Sequence, residues 1–186
     1  MVSKTTIRTT FIASIAAVGL ATSASAQSNP RVGGAPMFAE KNIVENAVNS
    51  KDHTTLVAAV KAAGLVDTLA SPGPFTVFAP TNKAFAKLPA GTVETLVKPE
   101  NKSTLTSILT YHVVPGNYSS AQLMDLAKKS GGQAELKTAN GANLAVIMRG
   151  KRLYVADNKG NTGRITIANV RQSNGVIHVI DAVQMP

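Results

Sequence analysis

The sequence predicts an α+β domain, because apolar residues recur at helical spacing up to about residue 129 and at alternate positions from Gln133 onward. Two largely apolar runs without regular alternation, Phe75 to Phe78 and Val176 to Val183, are typical of strands that are buried on both faces. The first run lies among the predicted helices and the second lies near the end of the chain. We therefore expect the two runs to be partners that join the helical and the strand-rich parts.

The first 26 residues have the pattern of an export signal. Lys4 and Arg8 give a positive start, residues 11–20 form an apolar stretch, and Ala24-Ser25-Ala26 is a small-residue cleavage site. A stretch of this length falls short of the about 20 apolar residues that span a bilayer. We expect cleavage before Gln27 and a secreted or periplasmic protein.

Two further units follow the predicted signal peptide. Residues 27–36 are polar and contain proline and glycine, which predicts a flexible linker. Residues 37–186 have the length of one ordinary domain, which can bury a sizeable core without metal or disulfides.

The first part of this domain is predicted to be helical. Asp52 is expected to cap one helix, Thr81 or Asn82 another, and Ser119 or Ser120 a third. Gly64 stands where a C-terminal helix glycine belongs. The helices are expected at 39–48, 52–63, 81–88, 92–98, 105–112 and 119–129.

The second part alternates apolar and polar residues with a period of two, which indicates strands. Asn140-Gly141, Arg149-Gly150 and Asn174-Gly175 are turn signals between them. The strands are expected at 133–138, 144–148, 153–155, 165–168 and 176–183.

Three motifs resemble those of the fasciclin (FAS1) domain family, and they occur in the family's order. Thr76 to Phe85 (Thr-Val-Phe-Ala-Pro-Thr-Asn-Lys-Ala-Phe) resembles the first signature, Tyr111 to Gly116 (Tyr-His-Val-Val-Pro-Gly) the Tyr-His box, and Asn174 to Asp181 (Asn-Gly-Val-Ile-His-Val-Ile-Asp) the second signature. The resemblance covers roughly residues 37–186. It implies a β-wedge of two sheets with several helices packed along one side.

The resemblance also implies a function and a set of residues. Members of the family are implicated in cell adhesion and matrix attachment, so we expect a non-catalytic module that binds a cell-surface or matrix protein or glycan. The Tyr111-His112 region is implicated in receptor binding in animal relatives, and most of the other motif residues are expected to form the fold. The residues carried over are Thr76, Ala79, Pro80, Thr81, Asn82, Tyr111, His112, Gly175, His178 and Asp181.

The charge of the chain leaves a second function open. The formal net charge is +9, and Arg149, Lys151 and Arg152 flank a hairpin glycine, so their charges should project into solvent together. This favours an envelope-associated binder of anionic polysaccharide or lipid, whereas the dispersed positions of the other basic residues favour a generally basic, soluble surface. Nucleic acid is not expected as a partner of an exported chain with 5 Phe, 3 Tyr and no Trp.

No pattern in the sequence requires a catalytic, cofactor or metal site. The chain has no cysteine, which excludes disulfides, thiol catalysis and thiolate zinc sites. His53 is expected to be solvated in the first turn of a helix. His112 and His178 are expected to be core residues, bonded to neighbouring backbone or to Thr and Asn side chains of the first signature. Nucleophile elbows, phosphate loops and HExxH spacing are absent, so an enzyme that uses scattered residues is the third alternative.

Overall fold

The computed structural model describes residues 29–186, so the predicted signal peptide lies outside the described residues. In this part of the chain the strands are β1 (Arg31–Val32), β2 (Ala35–Pro36), β3 (Phe75–Pro80), β4 (Val113–Pro115), β5 (Gln133–Lys137), β6 (Asn143–Arg149), β7 (Arg152–Ala156), β8 (Thr162–Gln172) and β9 (Gly175–Ile180). The helices are α1 (Ile43–Ala47), α2 (Thr54–Ala63), α3 (Val66–Ala70), α4 (Asn82–Phe85), α5 (Thr92–Leu96), α6 (Lys102–Tyr111) and α7 (Ser120–Lys129), with a 3₁₀ turn at Pro99–Asn101.

Seven strands form one mixed sheet in the order β4-β3-β9-β8-β7-β6-β5. The two apolar runs are partners, as predicted: β3 and β9 pair in parallel, from Phe75 opposite Gly175 to Pro80 opposite Ile180. The other neighbours in this sheet are antiparallel. The fold class predicted from the sequence, α+β, is confirmed.

The long strand β8 divides the sheet into two halves. Its first residues pair with β7 and its remaining residues pair with β9, and its register shifts on both sides of Ile167. Such bulges bend a strand and increase its twist. The sheet therefore folds into a wedge that is nearly a barrel, and Ala139 N donates a hydrogen bond to Val113 O at 2.7 Å across the remaining gap.

The strand β3 is covered on both faces because the domain has two apolar cores. Val77 and Ala79 face the first core, which lies between the sheet and helices α1 to α6. Phe78, on the opposite face, packs in the second core with Tyr111 and Val146, between the sheet halves and α7. This burial on both sides explains why the Phe75 run has no alternation.

Residues 31–36, predicted as part of a flexible linker, form a small hairpin of β1 and β2 instead. Gly33 and Gly34 have positive φ angles of 59° and 81°, which makes the tight turn. Val32 is buried against the first core. The linker prediction was wrong for residues 31–36, because two glycines make a tight turn after Val32 and backbone hydrogen bonds hold the segment to its neighbours.

Several helix ends follow the predicted signals. Gly64 is left-handed at the end of α2, and Ser119 rather than Ser120 caps α7. The helix predicted at 39–48 is shorter than expected, because Asn42 and Glu45 form a capping box that fixes the start of α1. Asn42 Oδ1 accepts from Glu45 N at 2.9 Å, and Glu45 Oε2 accepts from Asn42 N at 2.8 Å.

Candidate functional site

The first signature joins the sheet to the rest of the domain. Thr76 is fully buried, and its Oγ1 donates to Gly116 O at 2.7 Å and accepts from Tyr118 N at 2.9 Å. Ala79 and Pro80 are buried at the end of β3, beside β9. These three signature residues are therefore part of the framework and offer no polar group to a ligand in solution.

The next two signature residues cap two different helices. Thr81 caps α4, as one of the two predicted candidates. Asn82 reaches α2 instead: its Oδ1 accepts from Thr55 N at 3.0 Å and its Nδ2 donates to Lys51 O at 2.9 Å. The expectation that Asp52 caps α2 was wrong, because the cap is supplied by a side chain that is distant in sequence.

Tyr111 of the Tyr-His box is fully buried in the second core. Its hydroxyl donates to Asn143 O at 2.7 Å, and burial together with the nearby charge of Asp157 raises the pKa of that hydroxyl. Pro115 and Asn117, which follow the Tyr-His pair, are exposed. The Tyr111 ring itself holds the sheet halves together.

His112 is buried and uses both ring nitrogens inside the domain. Its Nδ1 donates to Ile108 O at 2.8 Å, and its Nε2 accepts from Gln184 N at 3.0 Å. Burial lowers the pKa of His112 to about 4, and the Ile108 carbonyl and the charge of Asp157 offset only part of that effect. The ring is therefore neutral at neutral pH and ties α6 to the C-terminal segment.

His178 has the same character in the second signature. Its Nε2 donates to Tyr118 O at 2.8 Å, its Nδ1 accepts from Asn169 N at 3.4 Å, and its ring stacks on Phe78 with centroids 5.7 Å apart. Burial lowers the pKa of His178 as well. The predicted burial of both histidines is confirmed, and of the two kinds of partner that were expected the structure shows backbone groups.

His53 differs from its prediction. The ring was expected to be solvated, yet it is only 4% exposed. The β1–β2 hairpin folds over this end of α2, where Gly33 O accepts a hydrogen bond from Lys51 N at 3.3 Å. The Nδ1 atom of His53 shares a hydrogen bond of 2.9 Å with Ser50 Oγ, a buried pair that the sequence analysis did not detect.

The start of the second signature is more than a turn. Asn174 is buried, and its side chain accepts from Ile43 N at 3.0 Å and donates to Leu69 O and Ser71 O at 2.8 and 2.9 Å. It thus fixes the start of α1 and the end of α3 against the sheet. Sequence reasoning missed this role because Asn-Gly is also the ordinary signal of a hairpin.

The two other residues carried over from this signature also have structural roles. A Cβ on Gly175 would lie 2.0 Å from Phe75 O, so the close approach of β3 and β9 requires glycine. Asp181 follows β9, and its Oδ1 accepts from Arg164 N at 2.7 Å. Its Oδ2 lies 3.9 Å from Arg164 Nε, and both side chains are more than a third exposed, so this ion pair contributes little to stability.

An exposed surface of different character lies on β6, β7 and β8. We call it the outer sheet face, and it consists of Ile147, Arg149, Arg152, Tyr154 and Arg164. Arg149 pairs with Arg152, Ile147 pairs with Tyr154, and Tyr154 pairs with Arg164, so all five side chains lie on one side of the sheet. The three arginines are exposed, whereas Leu153 and Val155 between them point into the second core.

The arginine nearest the hairpin is held against an aromatic ring. The Arg149 guanidinium carbon lies 5.1 Å from the centre of the Tyr154 ring, which is a cation–π arrangement. Gly150 has a φ of 61° in the turn that separates Arg149 from Arg152, and Lys151 follows it in the same turn. The structure thus brings Arg149 and Arg152 together on one face, with the exposed Lys151 at its tip.

A polar groove of about 560 Å³ runs beside the outer sheet face. Small and aliphatic residues line it together with amide, carboxylate and hydroxyl groups. Asn143 Nδ2 donates to Glu135 Oε2 at 2.7 Å in one wall. The other residues that line it include Gln133, Ala145, Ile147, Arg149, Ala156, Asn158 and Thr162.

Two further observations concern metal binding and membrane-spanning helices. Within residues 29–186, no group of three His, Asp or Glu side chains is arranged to hold a metal ion. In the same part of the chain, none of the helices is long and apolar enough to cross a membrane.

Comparison with known proteins identifies the family. The model of the fasciclin domain matches residues 51–186. The chain belongs to the fasciclin family. A FAS1 domain pair from the insect cell adhesion molecule fasciclin I shares the fold, with a TM-score of 0.68 over 77% of this chain and 50% of that chain at 21% identity.

Bacterial proteins are more similar in sequence to this fasciclin domain. The protein sll1483 of Synechocystis sp. is 45% identical over 97% of this chain and 93% of its own length. The immunogenic protein MPB70 of Mycobacterium bovis is 41% identical over 75% of this chain and 66% of its own length. The cell surface glycolipoprotein MPB83 of the same species is 35% identical over 87% of this chain and 68% of its own length.

Proposed function

We propose that this fasciclin protein is an exported, non-catalytic adhesion module that binds a cell-surface or extracellular-matrix protein or glycan. Family membership supports an adhesion-type role, since one relative is named a cell surface glycolipoprotein and the structural neighbour is a cell adhesion molecule. The observation that carries the proposal is the outer sheet face. It groups exposed guanidinium groups around an aromatic ring, whereas His112 and His178 use both ring nitrogens internally.

The chemistry of this surface suits binding. Arg and Tyr are the residue types that most often dominate the energy of an interface, because they combine contact area with hydrogen bonding. The adjoining groove adds amide and carboxylate groups that can bind sugar hydroxyls, and Ile147 in its lining can pack against a sugar ring. The face therefore has groups for a glycan and for an acidic protein surface.

A second candidate is an envelope-associated binder of anionic polysaccharide or lipid through the same basic face. Removal of residues 1–26 would take away Lys4 and Arg8 and no acidic residue, so 17 basic and 10 acidic residues would remain, a net charge of +7. The alignment of Arg149 with Arg152 across the hairpin favours this candidate. A net positive surface attracts polyanions over about a Debye length.

Binding to intact cell envelope at two ionic strengths tests both candidates. The Debye length falls from about 10 Å at 0.1 M salt to about 3 Å at 1 M, so binding that depends on charge alone is lost at the higher concentration. Retention at both concentrations supports a protein or glycan interface with apolar contacts. Retention at low salt alone supports the anionic polysaccharide or lipid, and no retention at either concentration contradicts both candidates.

A further inference from the structure

An apolar pocket of about 60 Å³ lies in the first core, between helices α1 to α3 and strands β3 and β9. Its walls are almost entirely apolar, with Ile43, Leu56, Val60, Val77 and Ile177 among them. An apolar cavity of about 150 Å³ stays dry and holds a benzene molecule, so a space of this smaller size has room for about two or three carbons. The pocket is therefore suited to the end of an aliphatic chain.

The polar side chains in the wall are bonded within the domain and offer almost no polar surface to this space. His112 uses both ring nitrogens internally. His53 shares a hydrogen bond of 2.9 Å with Ser50 Oγ, and its Nε2 atom is fully buried. Burial lowers the pKa of His53, and a hydrogen bond to the Ala79 backbone offsets part of that effect. A polar head group would find no partner inside the pocket and would carry a desolvation penalty there.

The opening of the pocket lies between three helices. The lining residues that are only partly buried mark it: Val44 and Ala47 on α1, Val57 on α2 and Val66 on α3. Lys61, in the last turn of α2, belongs to the same lining and is exposed. Among the lining residues in the described part of the chain, it is the one that is charged at neutral pH. An apolar interior with a cation at its mouth is complementary to an aliphatic chain with an anionic head group.

The ammonium group of Lys61 is open to such a head group. Within residues 29–186, the one ion pair joins Arg164 to Asp181, so no carboxylate of this part of the chain is paired with Lys61. Two exposed carboxylates lie on the neighbouring helices and have other roles. Glu45 accepts a hydrogen bond in the capping box of α1, and Asp67 lies in the first turn of α3, where its charge stabilises the start of that helix.

We propose that this pocket binds an aliphatic monocarboxylate, such as a fatty acid, with the end of its chain in the first core and its carboxylate at Lys61. A helix is about 10 Å across, so a chain of roughly eight carbons reaches from the opening through the helix layer to the pocket. The methylene groups in between pack against the partly buried residues of the opening. The site is independent of the outer sheet face, which backs onto the second core.

The first test measures the contribution of the Lys61 charge. The full chain, labelled with ¹⁵N, is titrated at low salt with octanoate and with 1-octanol, which has the same chain length but no charge. We expect saturable shifts of amides around the pocket with octanoate. Lys61→Gln should weaken octanoate binding about twofold to fivefold, the range for an exposed ion pair, and should leave 1-octanol binding unchanged.

Lys129→Gln is the matched control, because Lys129 is also exposed and also lies in the last turn of a helix of 10 residues, α7. It should leave the affinity for both ligands unchanged. An equal loss of octanoate affinity in the two variants would show an unspecific effect of charge and would overturn the proposal. The absence of saturable shifts with octanoate would overturn it too. So would an equal change for both ligands in Lys61→Gln, which would indicate a neutral occupant.

The second test locates the bound chain. Ala47→Leu places a larger side chain in the opening, whereas Ala58→Leu makes the same change on the exposed side of α2. Ala47→Leu should weaken octanoate binding about fivefold or more, and Ala58→Leu should leave it unchanged. Equal affinities in the two variants would show that octanoate binds elsewhere, and the proposal would fail. Because Lys61 and Lys129 are exposed, the first test does not depend on the folding of Ala47→Leu.

Discussion

At the residue scale, His112 and His178 have structural roles in the core. His112 and His178 are held as neutral rings in which one nitrogen donates and the other accepts. Protonation of either ring would add a proton where a backbone N–H already points. Both side chains therefore contribute to stability, and the contribution depends on pH in a defined direction.

This leads to a prediction for His112. Its pKa in the folded protein is about 4, below the value of about 6.5 in an unfolded chain. The unfolded chain therefore binds the extra proton first, and the stabilisation is complete above pH 6.5 and is lost as the pH falls towards 4, at about 1.4 kcal/mol per pH unit. Urea unfolding at pH 7, 6 and 5 measures the summed slope, to which His53 and His178 also contribute because burial lowers their pKa values as well.

The variant His112→Ala should remove that residue's share of the slope. It should also lower the free energy of unfolding at pH 7 by on the order of 2 kcal/mol or more, since it leaves a cavity and orphans Gln184 N and Ile108 O. A variant with the same stability as the wild-type protein at pH 7 and the same dependence on pH would show that the ring is not structural.

At the element scale, the sequence predicted those helix ends and strands that depend on residues within one segment. Gly64 ends α2 and Ser119 begins α7, because a left-handed glycine and a capping serine act within their own segment. The buried strand at Phe75 was also predictable, since burial on both faces leaves an uninterrupted apolar run. Asn82 and Asn174 were not predictable in the same way, because their partners lie 27 or more residues away.

The capping of α2 gives a prediction that separates the local signal from the observed contact. Asn82→Ala should lower the free energy of unfolding by about 1–2 kcal/mol, because it removes the acceptor for Thr55 N and the donor to Lys51 O. Asp52→Ala, at the position that the sequence suggested, should cost less than half as much. Chemical denaturation of both variants measures the two losses of unfolding free energy. A larger loss for Asp52→Ala than for Asn82→Ala would contradict the structural assignment of the cap.

At the scale of the whole molecule, most residues of the fasciclin signatures are buried in the domain or hydrogen-bonded within it. The sequence located them and predicted their order, but it could not show that Arg149, Arg152, Tyr154 and Arg164 share one face. That arrangement depends on the strand register between β6, β7 and β8, which no single segment specifies. For the same reason, the burial of His53 became evident only with the packing of the β1–β2 hairpin.

Export is a separate prediction for the whole chain. The charged start, the apolar stretch at 11–20 and Ala24-Ser25-Ala26 predict cleavage before Gln27. Mass spectrometry of the protein recovered outside the cytoplasm should therefore give a chain that begins at Gln27. An exported protein that still carries Met1 would refute this cleavage site.

We propose that the module binds through the outer sheet face while the signatures maintain the fold. The most direct test is the retention of three proteins by intact cell envelope: the wild-type chain, a variant with Arg149→Gln, Lys151→Gln and Arg152→Gln, and a control with Lys98→Gln, Lys128→Gln and Lys129→Gln. Both variants lose three exposed positive charges, so they have the same net charge and differ in the position of the lost charges. We predict that the first variant is retained about tenfold less than the control, with a Tm within a few degrees of wild type. Equal retention of the two variants would contradict the claim.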